Sequence, residues 1–149
     1  MKILATISIL SILLANSCNA QSELDLTQVV FESQIRGGKK QVVINQDQIK
    51  FSYNQDEYTA ELSKEKWNQL KDIIFKIDMD KYETYSTKNM DRARDAAWHS
   101  SISLTLSGDD YESQNFDNQN APEQLGELMR FIVALEKKSN KMEKKLFQQ

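Results

Sequence analysis

The spacing of the apolar residues changes period three times along this chain, and few folds accommodate that order. Val29, Phe31 and Ile35 mark one face of a first strand, and Gly37-Gly38 supplies a turn where positive φ costs little. Val42 and Ile44 mark a second strand, and Asn45-Gln46-Asp47 turns the chain again. Ile49, Phe51 and Tyr53 alternate with Gln48, Lys50 and Ser52, the pattern of a strand with one polar face. After Asn54-Gln55-Asp56 a fourth strand carries Tyr58, Ala60 and Leu62 inward. The period then becomes helical: Trp67, Leu70, Ile73, Ile74 and Ile77 share one face. Ser63 stands at the N-cap position, and Leu62 and Trp67 have the spacing of a hydrophobic staple.

A polar connection follows over residues 79–97, with a helical turn expected around Met90 to Ala97. Alternation resumes with Trp98, Ser100, Ile102, Leu104 and Leu106. Ser107 to Asp110 turns into a sixth strand from Tyr111 to about Phe116. Asn120 and Glu123 have capping-box spacing, Pro122 suits a first helical turn, and Leu125, Leu128, Met129, Ile132 and Leu135 give a second amphipathic helix. Met142 and Leu146 would extend its stripe. The order is ββββα–ββα. It predicts an α+β domain over residues 29–149, with one antiparallel sheet of about six strands and both helices on one face. Ile49, Phe51, Tyr53, Asp56 and Tyr58 recur 53 positions later as Ile102, Leu104, Leu106, Asp109 and Tyr111. A duplicated ββα unit (residues 49–77 and 102–132) explains this, and so does the hydrophobic spacing that any two such units share.

Upstream of the domain, Lys2 precedes thirteen mostly apolar residues, Ile3 to Ala15, and then Asn16-Ser17-Cys18-Asn19-Ala20. A basic residue, a short apolar run and small residues read as a secretory signal peptide, too short for a transmembrane helix. Cutting after Ala20 leaves a soluble exported protein that begins at Gln21. Cutting between Ser17 and Cys18 fits a second pattern. Ser17-Cys18 resembles the end of a bacterial lipoprotein signal, although Leu14 lies one position early and Ala15-Asn16 depart from that family's preference. The resemblance implies a leader over residues 1–17, diacylglycerol on Cys18, a lipidated tether over residues 18–28 and residence in the cell envelope. Asn19 then implies sorting to the outer membrane. Cys18 is the one cysteine of the chain, so no internal disulfide can form.

Loss of Lys2 with the leader takes the net charge from −3 to −4. No basic stripe marks a nucleic-acid surface. Lys137, Lys138, Lys141, Lys144 and Lys145 alternate with Glu136 and Glu143, which reads as a solvated helix end before it reads as an anionic-lipid contact. There is no phosphate-binding glycine loop. Asp109, Asp110, Glu112 and Asp117 do not have calcium-loop spacing, and one histidine with one cysteine makes no zinc site. No cofactor or metal is therefore expected. His99 and Asp95 have the spacing of an acid–base pair, with Ser101, Ser103 and Thr105 on the same strand face. No nucleophile elbow accompanies them, so no catalytic residue is assigned. Trp67 and Trp98 read as core residues.

Asp95-x-x-x-His99, the strand after it and Phe116-Asp117-Asn118 resemble a group of small bacterial envelope lipoproteins, with Ala96-Ala97 replacing the group's glycine-alanine pair. That resemblance implies no activity. The expectation is a non-catalytic, lipid-anchored envelope module that binds a protein or small ligand. Its surface would carry Lys50, Ser52, Asp95, His99, Ser101, Ser103 and Thr105. The alternatives are a periplasmic enzyme inhibitor presenting residues 79–97 and a small hydrolase using Asp95 and His99.

Overall fold

The alternating segments form one antiparallel sheet, and the two helical segments close one of its faces. In the computed structural model, residues 25–87 and 97–146 are described, with side chains to residue 138. The strands are β1 (Leu26–Ile35), β2 (Gly38–Ile44), β3 (Gln48–Tyr53), β4 (Asp56–Glu61), β5 (His99–Leu106), β6 (Asp109–Glu112) and β7 (Phe116–Asp117). The helices are α1 (Lys64–Phe75) and α2 (Gly126–Leu146). Strand order is β4-β3-β2-β1-β5-β6, with β7 also paired to β5. The expected α+β class and the single helical layer are both present.

β1 is the central strand. It pairs with β2 through a tight turn and with β5 from the far half of the chain. Its start lies upstream of the expected one, because Leu26 to Gln28 belong to the strand rather than to a tether. A bulge between Leu26 and Gln28 lets both Leu26 and Val29 face the core, three positions apart. That shift hides the strand's beginning from a period-two reading. The first turn also moves by one residue. Ile35 pairs with Gly38, so Arg36-Gly37 makes the turn and Gly37 holds φ at 83°.

Inward residues of five strands meet Trp67, Leu70, Ile73 and Ile74 of α1 and Leu128, Met129, Ile132 and Leu135 of α2 in one apolar cluster. Each such side chain contributes about 1.5–3 kcal/mol by leaving water. The Ser63 hydroxyl accepts from the Lys66 N–H at 3.4 Å, the predicted cap of α1. The predicted capping box at α2 does not form. A 3₁₀ turn, Glu123–Leu125, leads into α2 instead, closed by Leu125 N–H donating to the Pro122 carbonyl at 2.8 Å. The Asn120 N–H is already committed to the Asp117 carbonyl.

Two further segments depart from expectation. The sixth strand divides at Ser113. Its N–H donates to the Ile102 carbonyl, and its hydroxyl accepts from the Ile102 N–H, which ends the ladder before β7. The connection after α1 is not merely polar. Met79–Thr84 forms a 3₁₀ helix that buries Tyr82 completely, and the Tyr82 hydroxyl donates to the Ile102 carbonyl at 3.1 Å. The Tyr82 ring meets Tyr111 edge-on. The expected turn at Met90 to Ala97 lies outside the described residues apart from Ala97.

Burial, and next the charge of Glu112, push the Tyr82 hydroxyl well above the usual phenol range. A tyrosine in the unfolded chain ionises near pH ~10, while buried Tyr82 stays protonated there. Its contribution is therefore full below that pH and is lost as pH rises toward the higher folded value. Tyr82→Phe is expected to cost about 1 kcal/mol at neutral pH, since the Ile102 carbonyl keeps the Ser113 bond. Above pH ~10 the variant should lose stability less steeply than the parent. Urea midpoints measured across that range check this, and parallel curves would contradict it.

Candidate functional site

The expected surface exists as one face of the sheet. Lys50, Ser52, Ser101, Ser103, Thr105 and His99 all project away from the helices, as alternation requires. This face is satisfied largely by its own pairs. Lys50 meets Glu57 at 2.8 Å, Lys39 meets Glu32 at 2.9 Å, and the Thr105 hydroxyl donates to Asp110 at 2.8 Å. Such exposed pairs contribute little each.

Asp95 lies outside the described residues. The carboxylate that the fold brings to His99 is Asp117 of β7, paired across the ladder with His99. Its Oδ1 is 3.9 Å from His99 Nδ1, too far for a hydrogen bond. The Asp117 side chain is buried and its Oδ2 has no hydrogen-bond partner, whereas the His99 side chain is 54% exposed. No hydrogen bond links His99 to a serine among the described residues, so no nucleophile–base pair is assembled there. Asp109, Asp110 and Glu112 form an exposed hairpin edge, and no group of three or more metal-ligating side chains occurs among the described residues.

A recess opens on the opposite, helix-covered face, beside the point where Glu136 of α2 meets the sheet. One cross-strand row builds it: Asp56, Tyr53, Lys40, Ser33 and Ser100 stand opposite one another on β4, β3, β2, β1 and β5. Ser33, Lys40 and Ser100 are inward and polar where the next row toward the core is Phe51, Val42, Phe31 and Ile102. The Ser100 hydroxyl donates to the Asn118 carbonyl at 2.6 Å, so Ser33 must be the donor in the buried 2.7 Å Ser33–Ser100 pair. Lys40 forms an ion pair with Glu136 of α2 and places Nζ 5.9 Å from the centre of the Phe31 ring.

Tyr53 and Trp98 form the aromatic wall of this recess. Their ring centres are 6.2 Å apart and their planes are tilted by 43°. Tyr53 is 51% exposed, unusual for a large ring in an inward position. Trp98 has the predicted inward phase but lies beyond the helices, so it is half-buried rather than a core residue. Gly38 makes room for it: a Cβ there would stand 3.2 Å from the Trp98 ring.

Two asparagines in the left-handed region, each with φ 55°, brace the two sides in the same way. Asn54 N–H donates to the Lys39 carbonyl, and Asn54 Oδ1 accepts from Lys39 N–H at 2.9 Å. Asn118 N–H donates to the Trp98 carbonyl at 2.7 Å, and Asn118 Oδ1 accepts from Trp98 N–H at 3.3 Å. Asparagine tolerates this backbone region because its short amide can bond locally. Lys40, Tyr53, Phe31 and Trp98, with Asn118 to Asn120, surround a cavity of about 500 Å³. A second lobe of about 350 Å³ shares Lys40 and Tyr53 and runs along Phe51 and Tyr58.

Neither lobe was readable in the linear pattern, since the row exists only once the strand register is known. The signals were the asparagines of Asn54-Gln55-Asp56 and Phe116-Asp117-Asn118, and the polar Ser33, Lys40 and Ser100 at inward positions. No protein-family model, curated protein or solved structure matches this chain. The site therefore rests on its own geometry. No helix among the described residues is long and apolar enough to cross a membrane.

Asn118→Val is expected to lower stability by about 1–3 kcal/mol, because a β-branched residue resists positive φ and cannot accept from Trp98. Asn118→Gly should restore most of that loss while leaving Trp98 less ordered. Thermal denaturation and the Trp98 indole line width measure the two effects, and a Val variant as stable as the parent would contradict the bracing role.

Proposed function

We propose that this chain is a non-catalytic binding module of the bacterial cell envelope, and that it holds a small ligand against the wall formed by Tyr53 and Trp98. One observation carries the reading: a half-exposed aromatic pair stands in a recess whose polar groups converge from separate elements. Ligand pockets of about 300–1,000 Å³ commonly combine aromatic walls with a few oriented polar groups. The 500 Å³ and 350 Å³ lobes fall in that range. A groove already braced by Asn54 and Asn118 lowers the ordering cost of binding.

The envelope location rests on the leader and on Cys18, and the direction of β1 fits it. β1 begins at Leu26 and reaches the recess at Ser33, seven residues on. At ~3.3 Å per residue this spans roughly 23 Å. A lipid on Cys18 would join the domain at the end of β1 that lies away from the recess. More than one acyl chain is needed for stable anchoring.

Two experiments test the reading. In an amide and indole NMR screen of small water-soluble compounds, hits should displace Trp98 and Asn118 signals and leave buried Trp67 unchanged. Hits confined to the His99–Ser101–Ser103 face would place the site there instead. In cell fractionation, Cys18→Ala should move the protein from the membrane fraction to the soluble periplasm. A variant that stays with the membrane, or a mature chain that begins with Gln21, excludes the lipid.

A further inference from the structure

We propose that the recess takes a neutral sugar ring, such as one unit of a glycan. The inference rests on the reading of the recess as the binding site. It follows from how apolar and polar groups are divided around the larger lobe. A pyranose presents C–H groups on one face and hydroxyls around its rim, and each hydroxyl both donates and accepts. The larger lobe has the matching division. Trp98 and Tyr53 supply aromatic surface, and the exposed Asn118, Gln119 and Asn120 lie along its edge. An amide offers a donor and an acceptor together, the combination that a hydroxyl rim needs.

Charge separates this ligand from its competitors. Among the described residues, the lining of the larger lobe includes one cation, Lys40, and no carboxylate. That cation is already paired with Glu136. An anion such as a phosphate would have to break the pair and leave Glu136 uncompensated at a half-buried position. A fatty acyl chain would cover the exposed amides of Asn118, Gln119 and Asn120 without replacing their hydrogen bonds to water. An organic cation would find aromatic faces, but its counter-charges lie in the smaller lobe at Asp56 and Glu57, with Glu57 held by Lys50.

The test uses the full chain and two-dimensional NMR, in which Trp67 serves as the internal control. The probes are methyl glucoside, N-acetylglucosamine and their β-linked disaccharides, with choline, inorganic phosphate and indole as comparisons. At least one sugar should move the Trp98 indole and the Asn118 to Asn120 amides saturably, with a millimolar dissociation constant, while the Trp67 indole stays fixed. Tyr53→Ala should weaken that binding by about tenfold or more. This side chain is half exposed, so its removal leaves the fold intact, whereas Trp98→Ala removes a ring packed on Gly38. If choline, phosphate or indole moves the same signals and no sugar does, the sugar assignment is wrong and the recess remains a binding site. If no probe moves them, or if sugars shift only the outer face, both the sugar and the site are wrong. An unchanged sugar affinity in Tyr53→Ala would also overturn the proposal.

Discussion

The pairing of β1 with β5 is the contact on which the rest of the molecule depends. All other strand pairs except the two-residue β7 join neighbours in sequence through short turns. β1–β5 joins the first half of the domain to the second, across α1 and the connection after it. Its register places Phe31 against Ile102 and Val29 against Leu104, so one apolar surface runs unbroken from β3 to β5 beneath both helices. A slip of one residue would turn every inward side chain of β5 outward. The Ser33–Ser100 hydroxyl pair penalises such a slip further, because two buried hydroxyls would lose each other and the Asn118 carbonyl.

The same register produces the recess. On the inner face the apolar rows end with Phe51, Val42, Phe31 and Ile102. The next row is Tyr53, Lys40, Ser33 and Ser100, and the chain places Trp98 and Asn118 beside it. Left-handed Asn54 and Asn118 then fix the two margins by the same pair of bonds. The molecule thus has a sheet whose core end is specified by burial and whose open end is specified by hydrogen bonds. Binding groups held in this way need little rearrangement on meeting a ligand.

Much of this architecture was legible in the linear pattern. Alternation through Ile49, Phe51 and Tyr53 and the stripe Trp67, Leu70, Ile73, Ile74 each identified an element and its buried face. Ser63 capped α1 as its position implied. The reading lapsed where a local contact overrode periodicity. The bulge at Leu26 hid the start of β1, Ser113 cut the sixth strand, and Pro122 replaced a capping box with a 3₁₀ turn. Tyr82 was unreadable because its burial depends on the distant Ile102 carbonyl. The site was harder still. His99 and its serines share a face as alternation requires, but a shared face is not a recess. The recess joins residues from β1, β2, β3 and the segments flanking β5 and β7, which no spacing along the chain brings together.

The account turns on the Tyr53–Trp98 recess being open and preformed in the free protein. The direct measurement is paramagnetic broadening of side-chain NMR signals by a soluble nitroxide, read for the full chain in dilute buffer. The Tyr53 ring and the Trp98 indole should broaden strongly, as a solvent-filled recess requires, while Trp67 and Tyr82 stay sharp. A Trp98 signal as protected as Trp67 would mean that the recess is closed, and the binding account would fail.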